Sequence, residues 1–304
     1  MISKPSEMNF ENKKISMIIA GVPGIGKTTL ALSSPKPLLV DLDNGVSRVE
    51  ARYRKDTLFA SNFAELKEDL KGDLSNYETI VIDTGGKLLE MLKPVVVKED
   101  LKNAKRDGSL SLAGYGAVKR KFSDFITFVK SLNKHLIIIF HASEVQLAND
   151  ITGLRIRIEG SSRDEVWDEI DVGGFVEMKG KNRTIGFSNC ERYYAKGTHG
   201  ISGEYEIPKL EKGSKNDFLT QLFKKIQQDL QQEVIELEEY SKIMDSLLPK
   251  ITNSKNADDI NNIYQRIILP ENNVLTSKDE LSFHLKEKVK ELGLKYDRES
   301  GQFK

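Results

Sequence analysis

The sequence predicts an α/β fold with a mainly parallel sheet, because short apolar runs alternate with longer stretches and each run ends in polar or glycine-rich residues. Four such runs lie in the first half of the chain, at residues 15–20, 37–40, 79–82 and 135–140. Apolar runs this short are typical of strands that helices cover on both faces. At 304 residues, the chain exceeds one average domain. One large α/β domain with an extension is therefore expected.

The first apolar run leads into the segment Gly-Val-Pro-Gly-Ile-Gly-Lys-Thr-Thr at 21–29. Its glycines allow backbone N–H groups to turn inward around phosphate groups, between a predicted strand and a predicted helix. Lys27 is expected to neutralise the β and γ phosphates of ATP, and the Thr28 hydroxyl to bind Mg²⁺. This pattern predicts a P-loop ATPase. The expected nucleotide-binding residues are Gly21, Val22, Pro23, Gly24, Ile25, Gly26, Lys27, Thr28 and Thr29.

Three polar residues follow the other apolar runs and are expected to meet at the phosphate loop, because open α/β sheets bind ligands at the carboxyl ends of their strands. Asp83 is expected to hold Mg²⁺ together with Thr28. Asp43 is placed to orient and deprotonate the attacking water, and His141 to sense the γ-phosphate and move the segment that follows it. The predicted catalytic set is therefore Lys27, Asp43, Asp83 and His141. An ordinary strand-end or turn residue remains the alternative for the last three.

The pattern changes after Glu144. Alternating segments at 154–159, 174–179 and 183–188 predict further strands that extend the sheet in antiparallel fashion. From about Asp217 the chain reads as helical, with Phe218, Leu222, Phe223 and Ile226 on one face. The predicted division is an ATP-binding core over residues 1–214 and a small helical extension over residues 215–304.

Composition excludes several classes of protein. No apolar run approaches the ~20 residues that a membrane span needs, and the polar start of the chain lacks a secretory signal, so a cytoplasmic protein is expected. The single cysteine, Cys190, excludes an internal disulfide and a cysteine cluster for zinc. The 46 basic and 46 acidic residues balance, so nucleic-acid binding would have to come from local patches.

Four further motifs accompany the phosphate loop: Asp-Leu-Asp-Asn-Gly at 41–45, Val-Ile-Asp-Thr at 81–84, Gly-Tyr-Gly-Ala-Val-Lys at 114–119 and Gly-Ser-Ser-Arg-Asp at 160–164. With them, residues 15–208 resemble the RecA-like core of phage single-strand annealing proteins, a nucleotide-binding group related to RecA and Rad-type recombinases. By this resemblance Asp43 takes the place of the recombinase catalytic glutamate. His141 takes that of the glutamine that couples nucleotide to DNA. Both residues depart from the RecA pattern.

The resemblance implies that single-stranded DNA binds to two mobile loops, which here correspond to residues 98–115 and 145–164. Cations beside an aromatic ring suit phosphate contact and base stacking, although a solvated charged face is the alternative. The predicted DNA-binding residues are Lys102, Lys105, Arg106, Tyr115, Lys119, Arg120, Arg155, Arg157 and Arg163.

A later basic hairpin, residues 178–184, resembles the recombinase position that reaches the nucleotide of a neighbouring subunit. It carries Lys179, Lys181 and Arg183, and a cation there would stabilise transition-state charge in trans. An ordinary basic hairpin turn is the alternative.

The leading functional hypothesis is an ATP-dependent recombination protein that coats single-stranded DNA and promotes annealing or pairing. The resemblance implies a homo-oligomer, as a ring or filament, that resides in the host cytoplasm if it is phage-encoded. A single-strand-binding protein or another replication or recombination protein is a further candidate partner. Two alternatives remain open. One is a regulatory ATP switch that recruits a replication or repair partner through the helical tail, and the other is a helicase or loader.

Overall fold

A central sheet organises the larger part of the computed structural model, which describes residues 5–147, 151–158 and 166–304. Within these residues the sheet has nine strands. They are β1 (Ser16–Gly21), β2 (Pro37–Asp41), β3 (Thr57–Leu58), β4 (Thr79–Asp83), β5 (His135–Gln146), β6 (Thr152–Ile156), β7 (Val172–Lys179), β8 (Asn182–Gly186) and β9 (Glu204–Ile207).

The strand order is β3-β2-β4-β5-β1-β7-β8-β9, and β6 pairs with the end of β5. Strands β1 to β5 and β7 pair in parallel. All residues of β1, β2 and β4 and residues 135–140 of β5 are buried. Strand β5 lies between β1 and β4, so the strands that carry His141 and Asp83 are neighbours, as predicted. The sequence predicted that this strand ends at His141, but β5 continues to Gln146 because its outer part pairs with β6. The predicted α/β fold with a mainly parallel sheet is confirmed.

One strand direction differs from the prediction. Strand β7 pairs in parallel with β1, whereas the segment at 174–179 was expected to be antiparallel. The start of β7 is attached to the start of β1, because the Ser16 N–H donates to Asp171 Oδ2 at 2.8 Å and the Asp171 N–H donates to the Ser16 carbonyl at 3.0 Å. Strands β6, β8 and β9 are antiparallel to their neighbours.

Helices α1 (Lys27–Ala31), α2 (Phe63–Asp69), α3 (Gly85–Glu99) and α4 (Leu112–Ser131) connect the parallel strands. Side-chain caps start three of them: Asn62, Thr84 and Ser111 accept hydrogen bonds from N–H groups in the first turns of α2, α3 and α4. Short 3₁₀ helices lie at Pro5–Glu7, Val46–Arg48, Ala51–Tyr53, Leu101–Asn103 and Pro270–Asn272. The helices bury their apolar faces on the sheet. Because the strands they connect are parallel, the polar carboxyl ends of these strands meet at one edge of the sheet.

The chain forms two compact units, Lys13–Ile226 and a second made of Met1–Asn12 with Gln227–Lys304. The larger unit extends beyond residue 214, where the sequence predicted the boundary. Its last residues begin helix α5 (Phe218–Asn253), and they belong to the core because the Leu219 N–H donates to Ser33 Oγ at 3.0 Å and Phe223 stacks on His135.

The second unit is mainly helical, as predicted. It contains the remainder of α5, helices α6 (Ala257–Ile267) and α7 (Ser277–Glu291), and a small hairpin of β10 (Tyr296–Asp297) and β11 (Gln302–Phe303) that the sequence did not predict. Its core consists of Leu247, Ile251, Ile260, Ile263, Ile267, Leu281, Leu285 and Val289. No helix in the described residues is both long and apolar enough to cross a membrane.

His135, at the start of β5, is a buried histidine that makes the stability of the larger unit depend on pH. Its Nδ1 accepts a hydrogen bond from the Ile15 N–H at 2.9 Å, and its ring lies 4.8 Å from the Phe223 ring. Burial, followed by the Lys14 charge, lowers the pKa of His135 to about 4. The folded protein therefore holds this imidazole neutral.

We expect the free energy of unfolding to fall as the pH decreases from about 6.5 to about 4, because the unfolded chain binds a proton that folded His135 does not. The contribution of this residue is about 2–3 kcal/mol between pH 7 and pH 4.5. Urea unfolding, followed by the fluorescence of the only tryptophan, measures it. His135→Asn, which keeps an acceptor for the Ile15 N–H, should lose correspondingly less stability over this range. An equal loss in both proteins would contradict the assignment.

Candidate active site

The loop between β1 and α1 adopts a backbone that depends on glycine. Gly24 and Gly26 have φ angles of 80° and 91°, in the left-handed region that side chains disfavour. A Cβ at Gly26 would also lie 2.0 Å from Arg183 Nη1, so a side chain there would displace the end of this arginine. These constraints explain why glycine stands at both positions.

Lys27 begins α1 and turns its ammonium group back across the loop. Its Nζ donates to the carbonyl oxygens of Gly21 and Val22, both at 2.9 Å. Burial lowers the pKa of Lys27 to about 8, and the nearby Asp83 carboxylate opposes this shift. At neutral pH the side chain is therefore still largely charged, and it lies beside the backbone that the phosphate-loop pattern assigns to phosphate binding.

Thr28 and Asp83 are in direct contact, although 55 residues separate them in the sequence. The Thr28 hydroxyl donates to Asp83 Oδ2 at 2.7 Å. Burial raises the pKa of Asp83, and the hydrogen bond from Thr28 opposes that effect. A hydroxyl and a carboxylate are the oxygen donors that Mg²⁺ prefers, and Mg²⁺ commonly takes only one or two such ligands from a protein. This donor pair therefore fits the ion.

Asp43 and His141 also lie at this edge of the sheet. Asp43 comes two residues after the end of β2, and His141 lies within β5 opposite Gly21, the last residue of β1. Asp43 Oδ2 lies 3.7 Å from His141 Nε2 and accepts a hydrogen bond from Arg48 Nη2 at 3.0 Å. Burial, followed by the Lys27 charge, lowers the pKa of His141, while Asp43 opposes the shift. His141 is therefore neutral at neutral pH, and its Nδ1 is buried without a hydrogen-bond partner in the described structure.

Asp41 and Arg48 position Asp43, and neither was among the predicted site residues. The buried Asp41 carboxylate accepts hydrogen bonds from three backbone N–H groups, those of Asp43, Gly45 and Val46, at 3.2, 2.9 and 2.8 Å. The turn signal Asp-Leu-Asp-Asn-Gly indicates such an arrangement. No local pattern, by contrast, indicates the pairing of Arg48 with Asp43.

The basic hairpin β7–β8 contacts the phosphate loop of its own chain. Arg183 Nη1 donates to the Ile25 carbonyl at 3.3 Å. Lys179 pairs with Glu204, and Lys181 lines a cavity of about 580 Å³ together with Thr29 and Arg183. Arg183 was expected to reach the nucleotide of a neighbouring subunit. Within its own chain it lies beside the phosphate loop, because β7 pairs with β1 and β8 turns back so that its start lies near the end of β1.

The predicted DNA-binding residues fall into two groups, and the described parts of both segments contain helix or strand where the resemblance implied mobile loops. Helix α3 ends at Glu99 and α4 begins at Leu112, so only the short segment between them, with Lys102, Lys105 and Arg106, is outside these helices. Tyr115, Lys119 and Arg120 lie on α4.

In the second segment, β5 continues to Gln146 and β6 returns antiparallel to it. Arg155 and Arg157 are exposed, on β6 and just after it. Arg157 and Tyr115 line one cavity of about 350 Å³, so the structure brings together one residue from each predicted loop. Arg163 lies outside the described residues.

Three known proteins show limited similarity. One ATPase domain of known structure is 11% identical over 64% of this chain and 80% of its own, with a TM-score of 0.41. The flagellar accessory protein FlaH from Methanocaldococcus jannaschii is 10% identical over 56% of this chain and 75% of its own, with a TM-score of 0.31. Acetyl-CoA decarbonylase/synthase complex subunit gamma from the same organism is 24% identical over 162 residues, or 48% of this chain. The chain spans 32% of that subunit's length.

A family match covers most of the larger unit. Residues 13–199 match the model of the AAA domain. The matched region is more than half of the chain and contains the phosphate loop, the Thr28–Asp83 pair, Asp43, His141 and Arg183. The chain therefore belongs to the AAA-domain family and is a P-loop ATPase.

Proposed function

We propose that this ATPase binds single-stranded DNA under the control of ATP and promotes strand annealing or pairing in DNA recombination or replication. One observation carries the proposal. Strand β5 carries His141 beside Asp43 and then pairs with the antiparallel β6, which bears Arg155 and is followed at once by Arg157. The Arg157 N–H donates to the His141 carbonyl at 2.7 Å, so a shift of His141 would move the arginine-bearing strand.

In this proposal residues 21–29 hold the phosphates of ATP, and Thr28 and Asp83 hold Mg²⁺. When bound, Mg²⁺ neutralises charge on the β and γ phosphates. Asp43 orients the attacking water and accepts its proton, and Arg48 keeps the carboxylate in place. Arg183 supplies a second cation from the same chain. The neutral His141, beside Asp43, responds to the presence of the γ-phosphate.

DNA contact would come from the exposed cations that follow α3 and β5, because lysine and arginine bind the phosphate backbone regardless of sequence. Of the predicted residues, Arg155 and Arg157 are those attached directly to the nucleotide site through β5. We propose that the active form is a homo-oligomer and that a single-strand-binding or recombination protein is a further partner.

The proposal predicts that ATP strengthens binding of a labelled oligothymidylate, measured by fluorescence anisotropy without nucleotide, with ADP and with ATP. Binding should weaken as salt rises, because phosphate contacts release counterions, and DNA should stimulate phosphate release. Arg155→Ala and Arg157→Ala should each lower the slope of log K against log salt by about 0.7. Lys55→Ala, a change of an exposed cation near β3, is the control and should leave the slope unchanged. Absence of DNA binding while ATP still binds would overturn the proposal.

A second candidate function is an ATP-dependent switch that recruits a replication or repair protein through the helical unit. It is favoured by the large apolar side chains that this unit exposes, among them Phe283, which is 62% exposed. ATP binding without DNA binding in the anisotropy titration would favour the switch. A helicase or loader, in contrast, would separate a forked duplex in step with ATP turnover.

A further inference from the structure

A cavity of about 370 Å³ lies beside strand β6, and no phosphate-loop residue lines it. Four aromatic residues that contact one another line it. Phe175 stacks on Tyr193 at 4.8 Å and on Trp167 at 6.1 Å between ring centroids, and Tyr194 meets Trp167 edge to face at 5.4 Å. The wall is thus a packed aromatic cluster rather than a set of isolated rings.

Tyr194 is the member of this cluster that presents a free surface. It is 54% exposed, whereas Trp167 beneath it is 3% exposed. The segment that carries it is fixed by hydrogen bonds on both sides: the Cys190 N–H donates to the Tyr193 carbonyl at 3.2 Å, and the Ala195 N–H donates to Asn189 Oδ1 at 2.7 Å. A half-exposed ring held in this way can stack on a planar ligand with little loss of conformational entropy.

The charged residues at the cavity have different roles. Arg192 is engaged within the protein, since it pairs with Glu177 at 2.7 Å and donates through Nε to the Thr152 carbonyl at 3.1 Å. Arg155 is exposed, and within the described part of the chain no ion pair engages its guanidinium. Glu191 also lines the cavity. The cavity therefore offers an aromatic platform with one available cation beside it.

We infer that this cavity binds a nucleobase of single-stranded DNA. The base stacks on Tyr194, and Arg155 contacts the adjoining phosphate. Bases stack on aromatic side chains irrespective of sequence, while cations follow the backbone. The inference rests on the proposed function and locates its DNA contact. Arg155 is opposite Ser143 on β5, two residues beyond His141, so the cavity and the nucleotide site share one strand pair.

The only tryptophan of the chain is a built-in reporter, because Trp167 lines the cavity. We would titrate the protein, with ATP present, with an oligothymidylate and with an abasic oligomer of the same length. Anisotropy of a labelled oligomer reports binding as such, and Trp167 emission reports occupation of the cavity. The oligothymidylate should change the Trp167 emission. The abasic oligomer should bind more weakly and leave the Trp167 emission unchanged.

Tyr194→Ala should weaken oligothymidylate binding about tenfold, because one stacked base is lost, whereas Tyr194→Phe should retain it. Phe59→Ala is the matched control, since Phe59 is equally exposed at 54% and lies elsewhere. If anisotropy shows DNA binding that Tyr194→Ala does not weaken, with no change in Trp167 emission, the cavity assignment fails and the proposed function stands. If no DNA binds in any nucleotide state, both fail.

Discussion

Replacement of Lys27 with alanine is expected to weaken ATP binding by a hundredfold or more. Under the proposed function the buried Lys27 ammonium group is the cation that contacts the ATP phosphates, and removing one member of a buried, hydrogen-bonded charge pair costs about 3 kcal/mol or more. The variant also leaves the Gly21 and Val22 carbonyls without the hydrogen bonds that Lys27 donates to them. Calorimetric titration with a non-hydrolysable ATP analogue and Mg²⁺ measures the effect.

Lys212→Ala is the matched control, because this lysine is exposed and lies outside the matched region. It should bind the analogue as the parent protein does. Circular dichroism and urea unfolding establish whether the Lys27 variant is folded. A folded Lys27→Ala protein with unchanged ATP affinity would remove Lys27 from the nucleotide site.

Asp43→Asn is expected to slow ATP hydrolysis by about 10² to 10⁴, because a general base contributes about this much to a proton transfer. ATP affinity should change little, since Asn keeps the size of the side chain and the phosphate loop is untouched. The two effects are separated by phosphate release at saturating ATP and by calorimetric titration. A loss in kcat without a loss of binding marks an interaction that acts mainly in the transition state.

Arg48→Ala provides the control for this variant, because it removes the ion-pair partner of Asp43 and leaves the carboxylate. An exposed ion pair is worth about 0–1 kcal/mol, so turnover should change by less than about fivefold. If Asp43→Asn and Arg48→Ala reduce turnover equally, the loss of the ion pair accounts for both effects, and Asp43 is not the general base. Unchanged turnover in Asp43→Asn would likewise exclude Asp43 as the base.

The parts of the fold that the sequence predicted are those encoded by neighbouring residues. Buried parallel strands are short apolar runs, and the phosphate loop needs glycines and a lysine at fixed spacing before a helix. The ends of such strands meet at one edge of a sheet, so the meeting of Asp43, Asp83 and His141 followed from their positions after apolar runs.

Other features depend on contacts between distant segments. Strand β7 runs parallel to β1, with Asp171 hydrogen-bonded to Ser16 at the start of the pair, and this direction brings Arg183 beside the phosphate loop of its own chain. Tyr115 belongs to a helix and faces a cavity shared with Arg157, which no local periodicity indicates.

By itself, then, the sequence determined the α/β class, the phosphate loop and the helical nature of the C-terminal part, because local spacing encodes them. Only the tertiary structure decided which cations lie near the nucleotide site and that Trp167, Tyr193 and Tyr194 form one aromatic cavity. The physical reason is that these arrangements come from side chains packed across the sheet, and the separation of residues along the chain does not specify such packing.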